Sequence, residues 1–502
     1  MSGSLVKVAE FPLTQEVEQQ FIDGNWVKGE RGEPIDVLNP SNNETIFQLF
    51  PASDAQVDEA VASCWRAFHD PSWKKMPALE RGKLIMKLAA LMREHAETLA
   101  RLEAINTGIP IRESRLESAS SARHFEYFAG WSGKVEGGAQ PLMNDRLVYS
   151  IREPLGVVAI IVPWNTPLKL MSRGLAAALA CGNTVVVKPS AVALASVLYF
   201  GKLVEEAGFP PGVINIVAGS GRSTGAKIVG HPDIRKIVFT GGTEGGLEVL
   251  GLAAQNVTPV LAELGGKGPI IVCEDADLDE AADGVMSQVF ARQGEVCFAG
   301  TRLFLPGSIH DAFVEKIKER AQGIKVGDAM DEETDMGPLI SPDHLADVVG
   351  YVESALGDGA SVACGGDRAK PEGGPDGNFM QPTVLTGVNQ GMEAACEEIF
   401  GPVLTVHEFD SLDDAVRDAN ATEFGLASYV WTSDLRRAHR LAAELDCGNV
   451  FINTYRYGSE IPFGGTKKSG IGREHGEEAL REYTQIKSVC IGLSRWHSWN
   501  RD

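Results

Sequence analysis

The chain of 502 residues carries a formal net charge of −22 at pH 7, and 44% of its residues are hydrophobic. At roughly 100–200 residues per folding unit it holds two to four units with ample material for their cores, which excludes a small disulfide-stapled module. So acidic a surface repels a phosphate backbone, and no Lys/Arg run supplies a local basic patch, so nucleic acid is not an expected partner.

No apolar stretch approaches the roughly 20 residues that a membrane helix needs; the longest, Val157 to Val162, stops at Pro163. The N-terminal stretch MSGSLVKVAEFPLTQEVEQQ lacks the layout of a secretory signal, so the expected location is the cytoplasm, without membrane contact. The eight cysteines contain no C-x-x-C, so neither a metal site nor a disulfide framework is indicated. Most of them are expected to be buried small hydrophobes, and any special one a lone reactive thiol.

Phe21 to Val27 alternates apolar and polar residues around an Asp-Gly-Asn turn signal and predicts a small antiparallel element. Leu84, Leu88, Leu91, Leu99 and Leu102 fall at helical steps and predict one long amphipathic helix ending near Asn106-Thr107-Gly108. From Gly156 the rhythm changes. Short β-branched runs at 157–162, 184–188, 213–217 and 236–240 alternate with helix-length connections, the pattern of a parallel sheet covered on both faces. Such sheets bind ligands beyond the carboxyl ends of their strands, so the segments just after each strand deserve scrutiny. A second α/β region runs from Pro269 to about 472, interrupted by a Gly/Pro-rich stretch around 355–379 that reads as an exposed excursion.

Glycine loops come first among those segments. GSGRSTG at 219–225 is one residue too long for G-x-G-x-x-G, and a plain turn explains it equally well. FTGGTEGG at 239–246 places Gly241 and Gly246 between a strand and a helix, but Leu247 stands where a P-loop demands Lys, leaving a loop that can approach a pyrophosphate. Asn165, in Pro163-Trp164-Asn165, can support an oxyanion or simply cap the next helix. Glu263, in ELGGK, closes a strand as a general base or as a turn residue. Cys297, in QGEVC, ends a helix as a nucleophile or as an inert buried thiol.

In order and spacing these segments resemble the NAD(P)-dependent aldehyde dehydrogenase superfamily. PWN at 163–165, FTGGTEGG, ELGGK at 263–267, the cysteine 34 residues after Glu263, EEIFGPV at 397–403 and PFGGTKKSGIGRE at 462–474 carry the match, which runs from about residue 21 to 489. The resemblance implies a Rossmann-like cofactor-binding domain (1–133 and 154–262), an α/β catalytic domain (263–472) and a small β oligomerisation element (134–153 and 473–502). It also implies assembly as a homodimer or homotetramer.

Carried over residue by residue, the resemblance makes Cys297 the nucleophile, Asn165 the oxyanion donor and Glu263 the general base. An aldehyde becomes a carboxylic acid through a thiohemiacetal and a thioester. A CoA-acylating relative tends to lack the glutamate present at 263, and a non-redox thioesterase is the other reading of the same cysteine. For the dinucleotide it implies Lys188 on the adenine ribose, Glu398 on the nicotinamide ribose and Phe400 beside the ring. Trp164, Ser190, Gly221, Gly225, Phe239, Thr240, Gly241, Gly242, Gly246 and Leu264 complete that site. Two departures matter: Ala191 stands where NAD-preferring members often carry Glu, so dual use of NAD and NADP is expected, with Arg222 facing a 2′-phosphate, and Gly242 replaces a frequent Ser. The implied aldehyde tunnel comprises Thr166, Leu170, Arg173, Glu295, Phe298, Arg456, Tyr457 and Phe463. Its two arginines either read an anionic group at the far end of the aldehyde or pair with local acids such as Glu295 or Glu460.

Overall fold

The β-branched runs become neighbouring strands. In the computed structural model, which describes residues 19–140, 145–371 and 373–493, Val157–Ile161, Thr184–Lys188, Ile214–Ile216, Lys236–Thr240 and Val260–Glu263 pair in parallel. Residues 1–18, 141–144, 372 and 494–502 lie outside the described residues, and with them most of the N-terminal stretch and parts of the segments 134–153 and 473–502 named above. Every residue of the first two strands is buried, because helices cover both faces of the sheet; this is why the runs are uniformly apolar and do not alternate. Counted in chain order, the five strands lie third, second, first, fourth, fifth across the sheet. The order therefore reverses at Val157–Ile161, and the crevice of such a doubly wound sheet opens at that strand's carboxyl end, just where Pro163-Trp164-Asn165 follows.

The expected antiparallel element is the hairpin Gln19–Ile22 with Asn25–Lys28, turned by Asp23 (φ 53°) and Gly24 (φ 73°). It extends one edge of the first sheet, and Gly470–Ile471 closes the other. A second sheet of seven strands is parallel from Thr383–Thr386 through Val403–Phe409, Gly300–Pro306, Gly268–Val272 and Ala427–Trp431 to Asn449–Ile452. Its antiparallel edge strand, Ser361–Cys364, belongs to the Gly/Pro-rich excursion, so only the remainder of that stretch is irregular. Gly138–Gln140, Arg146–Pro154 and Thr484–Gly492 form a separate antiparallel sheet. The fold is thus mixed α/β, with a Rossmann-like sheet and a second α/β sheet.

Two expectations are corrected. The long leucine-bearing helix is two helices, Ala78–Glu94 and Ala96–Thr107. His95 leaves helical geometry (φ −95°, ψ 18°), and its ring sits 2.9 Å from the Tyr199 hydroxyl, a tertiary contact that leucine spacing cannot reveal. The predicted end holds, with Gly108 left-handed (φ 81°). Of the cysteines, only Cys64, Cys181 and Cys273 are buried; Cys490 is exposed on the outer strand of the small sheet and the other four are half-buried. Among the described residues no helix is long and apolar enough to cross a membrane.

One buried amide ties these layers together. Asn183 Oδ1 accepts the N–H groups of Leu155 (2.7 Å) and Gly156 (3.0 Å), while Nδ2 donates to the carbonyls of Ala178 (3.1 Å) and Tyr483 (2.9 Å). It thereby holds the entry to the first strand against the segment leading into Thr484–Gly492. Replacing it leaves the Leu155 and Gly156 N–H groups and the Tyr483 carbonyl without this partner, while the Ala178 carbonyl keeps the Asn183 backbone N–H at 3.0 Å, so Asn183→Ala is expected to destabilise the protein by about 3–5 kcal/mol. Denaturant unfolding with a shift under about 1 kcal/mol would contradict this.

Candidate active site

Three loops meet at the carboxyl ends of the first sheet. Asn165 follows Val157–Ile161 and precedes the helix Pro167–Ala180, which has no side-chain cap. Its Nδ2 instead donates to the Glu295 carbonyl at 2.9 Å, which argues against the capping alternative and aims the amide across the crevice at the cysteine loop. Glu263 closes Val260–Glu263, is 3% exposed, and neither of its carboxyl oxygens has a hydrogen-bond partner among the described residues. Cys297 follows the helix Leu278–Val289 through a reversal in which Arg292 (φ 49°), Gln293 (φ 48°) and Gly294 (φ 74°) are all left-handed. Such a run in non-glycine residues costs energy and persists only where surrounding packing enforces it.

Glycine is what lets these loops touch. A Cβ on Gly265 would lie 2.1 Å from Glu398 Oε2, and one on Gly266 would lie 2.5 Å from the Cys297 carbonyl. The ELGGK glycines thus bring the Glu263, Cys297 and Glu398 segments to backbone contact. Phe400, left-handed as well (φ 55°), meets Trp164 edge to face at 5.2 Å, and Trp164 meets His344 at 5.3 Å. Together they enclose a cavity of about 240 Å³ whose wall includes Asn165, Glu263, Cys297, Glu398, Phe400 and Leu170. Trp164, Thr240, Gly241 and Gly242 also border it, joined by Pro163, Gly265 and His344, which sequence reasoning missed. A larger surface cleft of about 600 Å³, bordered by Trp73 and Arg152, includes none of these residues.

Burial sets the charge states. It pushes the Cys297 thiol up to about 12, against the pull of the Arg173 guanidinium. Burial, reinforced by Glu474, also holds the Glu263 carboxyl well above the usual carboxylate range, while Arg173 opposes the shift. Glu398 is pushed up to about 7 by burial although its Oε1 accepts the Gly266 N–H at 2.9 Å. Lys188 is lowered to about 8 by burial alone.

The remaining expected cofactor residues surround the same crevice. Lys188 ends its strand beside Gly225, whose Cβ would lie 3.9 Å from the lysine stem; Ser190 is half-buried, and Gly221 and Arg222 are exposed. Gly242 heads the helix Thr243–Ala254 with open space where a side chain would stand. At Gly241 and Gly246 packing also demands glycine, since a Cβ on them would meet the Phe239 ring at 2.7 Å and Leu264 at 2.4 Å.

The expected tunnel residues divide. Phe298, Tyr457 and Phe463 form one aromatic cluster, with centroids 5.3 to 5.7 Å apart. Thr166 is buried at the helix start. Arg173 does pair with an acid, as the second of its two readings has it, but not with either of the acids named there. It is 3% exposed and pairs with Glu474 at 3.3 Å and the Tyr457 hydroxyl at 2.7 Å, with neither Glu295 nor Glu460 as its partner. The reason is the backbone pairing of Phe463 with Glu474, which carries that carboxylate to the helix. Glu295 does not face the aromatic cluster either, since its carboxyl accepts Gln293 Nε2 and the Ile340 N–H, each at 2.9 Å. Arg456 is exposed. Lys169, Glu117, Glu474 and His475 were not anticipated; Lys169 alone had a local signal, standing one helical turn before Arg173.

The comparisons with known proteins agree with this geometry. A model of the aldehyde dehydrogenase family matches residues 26–489. This chain belongs to that family. It is 41% identical over 473 residues to betaine aldehyde dehydrogenase of Bacillus subtilis, covering 93% of this chain and 96% of that protein. The NAD+ complex of betaine aldehyde dehydrogenase from Staphylococcus aureus superposes with a TM-score of 0.94 at 37% identity, over 97% of both chains. Mitochondrial 10-formyltetrahydrofolate dehydrogenase of Mus musculus is 42% identical over 482 residues, 94% of this chain; the chain spans about half of that relative's length, 52%.

Arg173 is the cation that most favours the Cys297 thiolate, and it predicts a measurable shift. Without dinucleotide, the rate of Cys297 alkylation by iodoacetamide is expected to rise with pH and show no plateau below about pH 10. Arg173→Trp is expected to slow alkylation further at every pH below that limit. An unchanged rate profile in the variant would show that the guanidinium does not act on the thiol.

Proposed function

We propose that this protein oxidises an aldehyde to the carboxylic acid with NAD or NADP, using Cys297 as nucleophile. The observation that carries the reading is the single cavity bounded by Cys297, Asn165, Glu263 and Glu398 at the carboxyl ends of the first sheet. The residues present suit a dinucleotide. The helix Thr243–Ala254 offers uncapped N–H groups behind Gly242, Lys188 is a buried cation, and the Glu398 carboxylate borders the cavity.

Cys297 gives up its thiol proton to solvent, Sγ adds as the thiolate to the carbonyl carbon, and the C=O π electron pair moves onto the carbonyl oxygen. Asn165 Nδ2 uses one N–H on Glu295 and has a second for that oxyanion, with the Cys297 backbone N–H as its companion. A dinucleotide held by Lys188, Glu398 and the loop at Gly242 would supply a hydride acceptor for the same carbon and a positive charge that favours the thiolate. A thioester then remains on Cys297. Glu263 takes a proton from water as the water oxygen adds to the thioester carbon, and the thiolate leaves with release of the acid. A carboxyl held high by burial is a stronger base than an ordinary one once ionised, which suits this step. Its presence favours water over CoA as acyl acceptor, and the cavity bordered by Glu398 and Gly242 favours a redox enzyme over a thioesterase.

Ala191 leaves no carboxylate to repel a 2′-phosphate, which supports use of both cofactors, with the exposed Arg222 available to an added phosphate. Assembly as a homodimer or homotetramer is supported by the nine-residue edge strand Thr484–Gly492, which carries the exposed Ile486 and Ile491.

Three measurements test the reading. Intact-mass analysis after mixing enzyme, cofactor and aldehyde is expected to show an acyl adduct that Cys297→Ser abolishes; an adduct that survives in Cys297→Ser, or full activity of that variant, overturns the assignment. Glu263→Gln is expected to keep a burst of reduced cofactor while steady turnover falls by about a hundredfold or more; loss of the burst would move Glu263 to activating the thiol. NADP should support turnover within about a thousandfold of NAD in kcat/KM, and stronger rejection would refute dual use.

A further inference from the structure

The aromatic cluster beside the nucleophile is ringed by more buried or half-buried cations than the neighbouring carboxylates neutralise. Lys169 stands four residues before Arg173 on the helix Pro167–Ala180, so both project from one face. Lys169 Nζ lies 2.7 Å from Glu117 Oε2, and Arg292 pairs with the other oxygen of the same carboxylate. Two cations therefore share one acid. Burial works against charge on Glu117, yet these cations together hold its carboxyl at about 2. Arg173 is matched one to one by Glu474. Two further acids are held high by burial: Glu263, near Arg173, and Glu113, which accepts the Arg292 backbone N–H at 3.1 Å and is pushed up to about 7, so it neutralises Arg292 only in part.

This surplus faces the cluster. Lys169 Nζ sits 5.7 Å from the Tyr457 ring centre, and the Arg292 guanidinium 6.0 Å from that of Phe298, the residue after Cys297. Buried polar groups here also await hydrogen-bond partners: Nε of Arg173 and of Arg292, both ring nitrogens of His475 and, as a lone acceptor, Oε1 of Glu474 have none among the described residues, with Arg173 3% and His475 1% exposed. An unmatched buried charge is costly, and such a wall is completed by an anion.

We propose that the aldehyde oxidised at Cys297 carries a carboxylate at its far end, bound by Lys169 and Arg292 beside Tyr457. The inference rests on the aldehyde-oxidation reading above. A carboxylate at this place restores two cations to two acids and receives charge-assisted hydrogen bonds from an ammonium and a guanidinium. The carbon chain between the aldehyde and that carboxylate lies along Phe298 and Tyr457. An aldehyde with a quaternary ammonium tail meets the same cations as a like charge.

The full chain is tested with NAD on 4-oxobutanoate against butanal, 6-oxohexanoate against hexanal, and betaine aldehyde. For at least one chain length, kcat/KM for the carboxylated aldehyde is expected to exceed that of its neutral counterpart by about ten- to hundredfold. Betaine aldehyde is expected to be the poorest substrate. Lys169→Met is expected to bring the carboxylated-to-neutral ratio toward one, whereas Lys169→Arg keeps most of it. Should Lys169→Met fail to fold, protection of the wild-type Cys297 from iodoacetamide asks the same question: succinate or adipate is expected to protect at lower concentration than butyramide or hexanamide. Neutral aldehydes preferred at both lengths, or betaine aldehyde preferred over both acids, overturn the tail assignment and leave the oxidation reading intact. Absence of both turnover and a Cys297 adduct with all five aldehydes overturns the two together.

Discussion

The site depends on backbones coming closer than side chains permit. Gly265 under Glu398 and Gly266 against the Cys297 carbonyl weld a strand end of the first sheet to two loops that lie beside the second. Without that contact Asn165 could not reach across to the Glu295 carbonyl, and Glu263 would not share a cavity with Cys297. The left-handed run from Arg292 to Gly294 and the left-handed Phe400 follow from the same compression: a Cβ on Gly294 would lie 2.3 Å from the Gly401 carbonyl, so the thiol loop and the Phe400 loop are each bent by the other.

Compression has an electrostatic counterpart. Excluding water raises the thiol of Cys297 and the carboxyls of Glu263 and Glu398 alike, so the resting site is close to neutral where chemistry must generate charge. A neutral, dry resting state protects a nucleophile from side reactions and makes ionisation contingent on a cation arriving. Arg173 supplies part of that positive potential permanently, and a bound oxidised dinucleotide supplies more. Arg173 remains inside because Glu474 and the Tyr457 hydroxyl take up its two terminal nitrogens, with the Phe463 and Tyr457 rings at 5.3 and 6.0 Å.

What the sequence could disclose follows from the range of each interaction. Strands buried on both faces leave a local trace, so Thr184–Lys188 was legible to the residue and Val157–Ile161 to within one, and the glycine pair of ELGGK marks a tight approach wherever it occurs. Asn165 was ambiguous because oxyanion support and helix capping ask for the same residue at the same place; only the direction of its amide separates them. The break at His95 depends on Tyr199, and the partner of Arg173 lies 301 residues away, so neither leaves a mark in local spacing. Gly246 also carries a packing demand the sequence does not show, because Leu264, just after the strand Val260–Glu263, presses on it. A glycine at a ligand-binding loop and a glycine under a packed side chain look alike in one dimension.

The same distinction governs the unanticipated charges. Glu117 lies on the helix Ile111–Ala129, far along the chain from Arg292, and it joins Arg292 to Lys169 only because that helix packs against Pro167–Ala180. A buried two-to-one arrangement is a poor source of stability, since hydrophobic residues of similar volume would hold the helices together at lower desolvation cost. Its persistence beside the aromatic cluster of Phe298, Tyr457 and Phe463 is therefore better explained by recognition than by folding. The helix Pro167–Ala180, which starts two residues after Asn165, carries Lys169 and Arg173 on one face, so under the proposed reading one rigid element would set both the position of the reacting carbonyl and the chemistry of the group at its other end.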